Sequence, residues 1–189
     1  MPLKLHVIIC STRPGRVGPS VARWFLDFAR GHGKFDARMV DLAEVDLPMY
    51  DEPVHPAKAQ YEHEHTRRWS KLVAAADAYV FVTPEYNYSP PPTFVNAVDY
   101  VYREWNYKPC GFVSYGGVSG GLRATQMERL HVTTLKMMPM PESVMVPMVA
   151  NQVDAETGQF TANRYNESAA TTMLDELWRW AGALKPMRA

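Results

Sequence analysis

The run Ala78-Tyr79-Val80-Phe81-Val82-Thr83 constrains this chain more than any other stretch. It is too short for a helix, rich in β-branched and aromatic residues, and shows no polar alternation. That is the pattern of a strand covered on both faces, which belongs to a parallel sheet with helices on either side. Residues 3–10 are nearly as continuous, 35–41 read as a weaker strand, and 110–115 form another. Residues 143–149 make the fifth, where Pro147 argues for an edge position or an irregular end.

Helical stripes fill the intervals. Residues 15–30 carry Val17, Val21, Trp24, Phe25 and Phe28 on one face, and Gly31 and Gly33 supply a stop. Residues 57–76 align Tyr61, His65, Trp69, Leu72, Val73 and Ala76; a later stripe runs from Phe94 through Val98, Val101 and Tyr102 to Trp105. A helix is expected over 122–137. The last carries Ala170, Met173, Leu174, Leu177, Ala181 and Leu184. Prolines bar the loop 46–53 from regular structure. Five strands alternating with helices predict a doubly wound five-stranded parallel sheet in three α/β/α layers, one domain over residues 1–189.

Ligands in such sheets bind beyond the carboxyl ends of the strands. Three of those ends lead into loops of unusual chemistry. After the first strand comes Cys10-Ser11-Thr12-Arg13-Pro14-Gly15-Arg16, a small-residue turn opening a helix. Backbone N–H groups, the helix dipole, hydroxyls and two arginines there suit a phosphate monoester. The loop matches neither G-x-G-x-x-G nor G-x-x-x-x-G-K-[ST], so a single small anion is expected. Ser20, one turn on, reads equally as a phosphate donor or a surface serine.

After the third strand, Pro84-Glu85-Tyr86-Asn87 offers backbone N–H groups, an amide and a ring to a flat heterocycle. Glu85 reads as a hydrogen-bond acceptor more readily than as a general acid or base. After the fourth strand, Tyr115-Gly116-Gly117 and then Gly120-Gly121 allow close backbone approach and positive φ.

Other residues carry less. His63 and His65 stand at i and i+2, which on a helix point apart, so they read as a solvated face and no metal site is expected. The methionines between Met137 and Met148 read as packing. Cys10 and Cys110 fall at opposite edges of the sheet, beyond disulfide reach, as buried inert thiols of a reducing compartment. Twenty basic residues balance twenty acidic ones, giving no footprint for nucleic acid or an anionic membrane. No apolar run approaches the roughly 20 residues of a membrane span. The opening residues lead straight into a strand, so export is not expected and a cytoplasmic protein is.

At its three loops the chain resembles the flavodoxin-like NADPH-dependent FMN reductases, a family of FMN, quinone, azo-dye and chromate reductases. The pattern G-S-x-R appears here as Cys10-Ser11-Thr12-Arg13, and P-E-Y-N as Pro84-Glu85-Tyr86-Asn87, with the glycine-rich loop from Tyr115 to Gly121. Asn96-Ala97-Val98-Asp99 and Asp46-Leu47-Pro48 also look like the family's, and the likeness spans about residues 4–149. Cys10 departs from the usual glycine, and Pro90-Pro91-Pro92 is stiffer than usual.

The resemblance implies a flavodoxin-like fold with bound FMN. Ser11, Arg13, Arg16, Val17 and Gly18 would hold the phosphate. Pro84, Glu85, Tyr86, Asn87, Tyr115, Gly116 and Gly117 would hold the ring. It implies a ping-pong transfer of hydride from NADPH or NADH, through the flavin, to a quinone, azo compound, free flavin or similar acceptor. It also implies a homodimer or homotetramer, with the stripe from Phe94 to Trp105 as interface candidate; Tyr88, Tyr100 and Tyr102 read equally as core or surface. The competing expectations are a flavodoxin-like electron carrier, disfavoured by the neutral charge balance, and an anion-binding domain without flavin.

Overall fold

In the computed structural model, which describes residues 2–188, the strands form one all-parallel sheet. β1 (Leu3–Ile9) pairs with β2 (Phe35–Asp41) on one side and β3 (Ala78–Pro84) on the other; β4 (Pro109–Tyr115) follows β3. The fifth position is shared by two short segments. β5 (Met138–Pro139) pairs with the start of β4, and β6 (Val144–Val146) pairs with its end. The fifth strand expected over 143–149 is therefore shorter, and it stops before Pro147, whose missing N–H cannot join a ladder.

Helices cover both faces. α1 (Gly18–His32) and α6 (Arg164–Leu184) lie on one, enclosing a core with Val7, Phe25, Val80, Leu174 and Leu177. α3 (Glu64–Ala74), α4 (Pro92–Asp99) and α5 (Leu122–Thr133) lie on the other, around Trp69, Phe81, Phe94, Trp105 and Phe112; α2 (Leu42–Val45) is a single turn. β3 and β4 are buried along their whole length. Local signals set the ends. Gly33, at φ 80°, closes α1 by donating its N–H to Arg30. Asn163 and Asn166 form a reciprocal cap on α6.

Three expectations need correction. The helix expected over 57–76 begins only at Glu64, because the Glu52 carboxylate accepts from the N–H groups of Glu62 and His63, at 2.8 and 3.0 Å, and so caps its start. His63 thus precedes the helix, and its ring stacks on that of His65 at 5.1 Å instead of pointing away. Both rings meet the Asp51 loop: His65 Nε2 lies 3.0 Å from Asp51 Oδ1, and His63 Nε2 lies 3.2 Å from Asp51 O.

The stripe from Phe94 to Trp105 is the third correction. It divides into α4 and a 3-10 turn at Arg103–Trp105, and Phe94, Val98, Tyr100, Val101 and Trp105 are all buried within the chain. The stripe is thus mostly spent on the core, and only Tyr102 and Val95 keep part of their apolar surface at the outside.

Cys10 and Cys110 are both free and buried, and burial pushes both thiols up from their ordinary pKa. Among the described residues no helix is long and apolar enough to cross a membrane. Gly111 lets α6 close on β4, since a Cβ there would lie 2.5 Å from Met173 Sδ and 3.3 Å from Leu177 Cδ1. Leu177, fully buried in that contact, is a direct test. Leu177→Ala lowers unfolding free energy by about 2–5 kcal/mol in urea denaturation.

Candidate functional site

The carboxyl ends of β1, β3 and β4 stand side by side, so the three loops enclose one cleft of about 640 Å³. Its walls include Arg13, Arg16, Val17, Pro84, Glu85 and Tyr86, and also Asn87, Tyr115 and Gly116. Of the twelve predicted residues, only Ser11, Gly18 and Gly117 are not on its surface.

In the first loop the main chain turns at Gly15, φ 68°. Among the described residues, the N–H groups of Ser11, Thr12, Arg13, Gly15, Arg16 and Val17 find no acceptor within the protein. They gather where α1 begins, and unpaired donors at a helix N-terminus favour an anion. Arg13 is exposed and in no ion pair among the described residues. Arg16 also makes contacts within the protein. Its guanidinium binds Asp41 through two bonds of 2.7 Å and also donates to the Ser11 carbonyl, and the bond to Asp41 holds its pKa above the ordinary value. Asp41 ends β2, at the same edge of the sheet.

Ser11 is fully buried, and its Oγ accepts a 3.0 Å hydrogen bond from the Tyr115 hydroxyl. Burial raises the phenol's pKa, keeping it a donor. Gly18 lies beneath this contact. A Cβ there would meet Tyr115 Oη at 2.7 Å and Ser11 Oγ closer still. Ser20 faces away from the loop, its Oγ accepting from Phe160 N at 2.7 Å, which corrects its reading as a phosphate donor.

The second loop is a tight turn. Tyr86 and Ser89 exchange backbone bonds of 3.0 Å, and Asn87 and Tyr88 take φ of 51° and 71°. The N–H of Glu85 goes to Tyr115 O and that of Tyr86 to Ser89 O. The free donors expected here are thus those of Asn87 and Tyr88, not Glu85 and Tyr86. The Glu85 carboxylate accepts from Ser119 Oγ, Arg123 N and Arg123 Nη1 at 2.9–3.0 Å. Burial pushes its pKa up, but those bonds outweigh it and hold the group below its ordinary value, as an anion. Glu85 joins the second loop to the third.

In the third loop positive φ falls on Gly120 and Gly121, at 59° and 86°. A Cβ on Gly121 would sit 2.9 Å from Tyr115 N, whereas around Gly117 the space is open. Val149 and Ala150 also line the cleft and carried no signal in the sequence. They are placed by Met148 N and Val149 N, which donate to Gly117 O and Gly116 O at 2.8 and 3.1 Å. A hollow of about 810 Å³ opens at the opposite end of the sheet, but Lys108 and Arg188 there are spent on Val73, Ala74, Tyr79 and Asp77.

The comparison with known sequences now decides the family, since the model of the NADPH-dependent FMN reductases matches residues 3–151. The chain belongs to that family. An NAD(P)H-dependent FMN reductase of Schizosaccharomyces pombe is 43% identical over 129 residues, covering 67% of this chain and 64% of that protein. A quinone reductase of Pseudomonas putida is 32% identical over 72% of this chain and 74% of its own length. In fold, the chain is similar to FerB, a flavoenzyme NAD(P)H:(acceptor) oxidoreductase from Paracoccus denitrificans, with TM-score 0.73 and 22% identity over 96% of this chain and 98% of that one. The chain is accordingly an NAD(P)H-dependent flavoenzyme of flavodoxin-like fold, with FMN as its cofactor. The cleft fits that cofactor: unpaired N–H groups and Arg13 suit a phosphate, and the volume lies in the range of small-molecule sites.

Gly18 tests the packing under the first loop. In an ordinary helix Gly→Ala stabilises by about 0.5–1 kcal/mol. Here the sign reverses: Gly18→Ala costs about 1–3 kcal/mol, read as a lowered urea midpoint.

Proposed function

We propose that this chain is a one-domain oxidoreductase that takes hydride from NADPH or NADH and delivers the electrons to a quinone, azo compound, free flavin or similar acceptor. The observation that carries the reading is the row of unpaired N–H groups beside Arg13, opening into the same cleft as the 84–87 and 115–117 segments. FMN, when bound, supplies the two-electron chemistry, so no side chain is assigned as catalytic.

The residues divide the remaining work. Arg13 and the N–H groups of Ser11 to Val17 bind the phosphate. Arg16 keeps the loop in shape through Asp41, and Gly18 leaves room for the Ser11–Tyr115 bond. Pro84, Glu85, Tyr86, Asn87, Tyr115, Gly116 and Gly117 bound the space for the ring. Asn87 contributes its amide and free N–H, and Gly117 leaves its backbone open to approach.

A homodimer or homotetramer is part of the proposal. The support lies on the outside of α5, where Leu122, Met127 and Leu130 are exposed beside Val118, taking the place of the buried stripe from Phe94. The two buried free thiols favour a reducing compartment such as the cytoplasm.

The test is an absorption spectrum of purified protein, taken before and after anaerobic NADPH and NADH. Yellow protein that bleaches with either nucleotide and recovers with a quinone is the expected outcome; colourless protein that binds no FMN overturns the reading. Arg13→Ala weakens FMN binding about 10- to 100-fold, the loss of one charge-assisted hydrogen bond. Arg16→Ala acts through the loop, so it also lowers the melting temperature, which Arg13→Ala leaves unchanged.

A further inference from the structure

One buried acid has no part in the scheme above. Glu128, on α5, is fully buried, yet among the described residues no cation reaches it. Its Oε1 lies 2.5 Å from Thr83 Oγ1, and its Oε2 has no partner among the described residues. Thr83 is the residue before Pro84, and its hydroxyl also lies 3.4 Å from Pro84 O. The carboxyl therefore sits directly beneath the strand end that becomes the second loop of the cleft.

The hydrogen count distinguishes its two states. A carboxylic acid protonated on Oε1 donates to Thr83 Oγ1, and the threonine keeps its own proton for the Pro84 carbonyl. A carboxylate has no proton, so Thr83 must turn its hydrogen to Glu128 and release Pro84 O. The ionised state also leaves a charge in an apolar surround with only one hydrogen bond, a costly arrangement for a carboxyl group.

We propose that Glu128 is a positioning residue: as a neutral acid it orders the Pro84–Asn87 turn through Thr83, so that the cleft holds FMN in a proton-dependent way. The proposal rests on the flavin reading of the cleft.

Among the described residues, the surroundings contain no cation to offset the charge. Cys10 follows the end of β1 and Cys110 lies on β4, both thiols kept neutral by burial, and the charge of Glu128 would raise both further. On α5 itself, His131 is turned to Asp99 of α4 at 2.7 Å, and Arg129 is held by the carbonyls of Met140 and Pro141. Asp41 of β2 is paired with Arg16. Burial raises the Glu128 pKa from its ordinary value to about 8, against the opposing effect of the Thr83 bond.

FMN affinity of the full chain, followed by flavin fluorescence between about pH 6 and pH 10, tests the coupling. The parent is expected to lose affinity about fivefold or more as pH rises through about 8. Glu128→Gln keeps a donor for Thr83 and has no proton to lose, so it binds FMN within about threefold of the parent at low pH and stays flat to high pH. Thr83→Val keeps the acid but cuts its link to Pro84, and also removes the alkaline loss. A parent curve without that loss overturns the proposal, as does the same loss in either variant.

A flavin-free readout separates this from the wider reading. A folded-state pKa above the unfolded one stabilises fully below about pH 4.5, and that stabilisation fades as pH rises to about 8. The melting temperature of the parent should fall over that window relative to Glu128→Gln. If the fall is present but no FMN binds at any pH, the flavin reading fails; if FMN binds and the melting curves run parallel, Glu128 is not the buried acid proposed.

Discussion

Arg16 binds both carboxylate oxygens of Asp41 and reaches the carbonyl of Ser11, and the form of the first loop depends on that group. A carbonyl held by the guanidinium leaves the neighbouring N–H groups free, and unpaired donors of that kind favour an anion. The pair is partly shielded from water and bidentate, which sets it apart from the exposed ion pairs elsewhere on the chain. A second arginine in the same turn, Arg13, is left with its charge available.

The sheet turns this local arrangement into a site. β1, β3 and β4 are adjacent and parallel, so their carboxyl ends share an edge. Tyr115 reaches from the end of β4 across to Ser11, and Glu85 reaches from the end of β3 to Arg123 and Ser119. Each loop is thus tied to another by a side chain whose protonation suits the bond: a phenol kept neutral and a carboxylate kept ionised. A cleft held in this way is organised before a ligand arrives, which lowers the entropy cost of binding.

The two faces of the sheet differ in character. The α1/α6 face is mostly aliphatic with one large aromatic cluster around Trp24, whereas the α3/α4/α5 face is packed with Trp69, Tyr79, Phe81, Phe94, Trp105 and Phe112 in edge, tilted and stacked contacts. Buried polar atoms on that face are matched where the backbone allows it. Trp69 Nε1 donates to Ala97 O and Trp105 Nε1 to Val98 O. Among the described residues Thr66 Oγ1, Arg129 Nε and Glu128 Oε2 are left without partners there, and of these Glu128 stands at the cleft end of that face, under Thr83.

The strands, the helix order and the three loops were legible in the sequence because each is a local pattern. An unbroken apolar run, a stripe at helical spacing or a glycine-dense turn is visible within a dozen residues. Pairings across the fold were not. The sequence does not show that Arg16 is paired with Asp41, 25 residues on, or which of Ser20's two readings holds, since its partner Phe160 is 140 residues away. The stripe from Phe94 to Trp105 was equally consistent with an interface or a core, since periodicity says that a face is buried but not against what. By itself the amino-acid order determined a parallel layered domain with its chemistry at one edge. Only the tertiary structure decided which charged groups face that edge and which are spent holding it, because that choice is made by contacts between residues far apart along the chain.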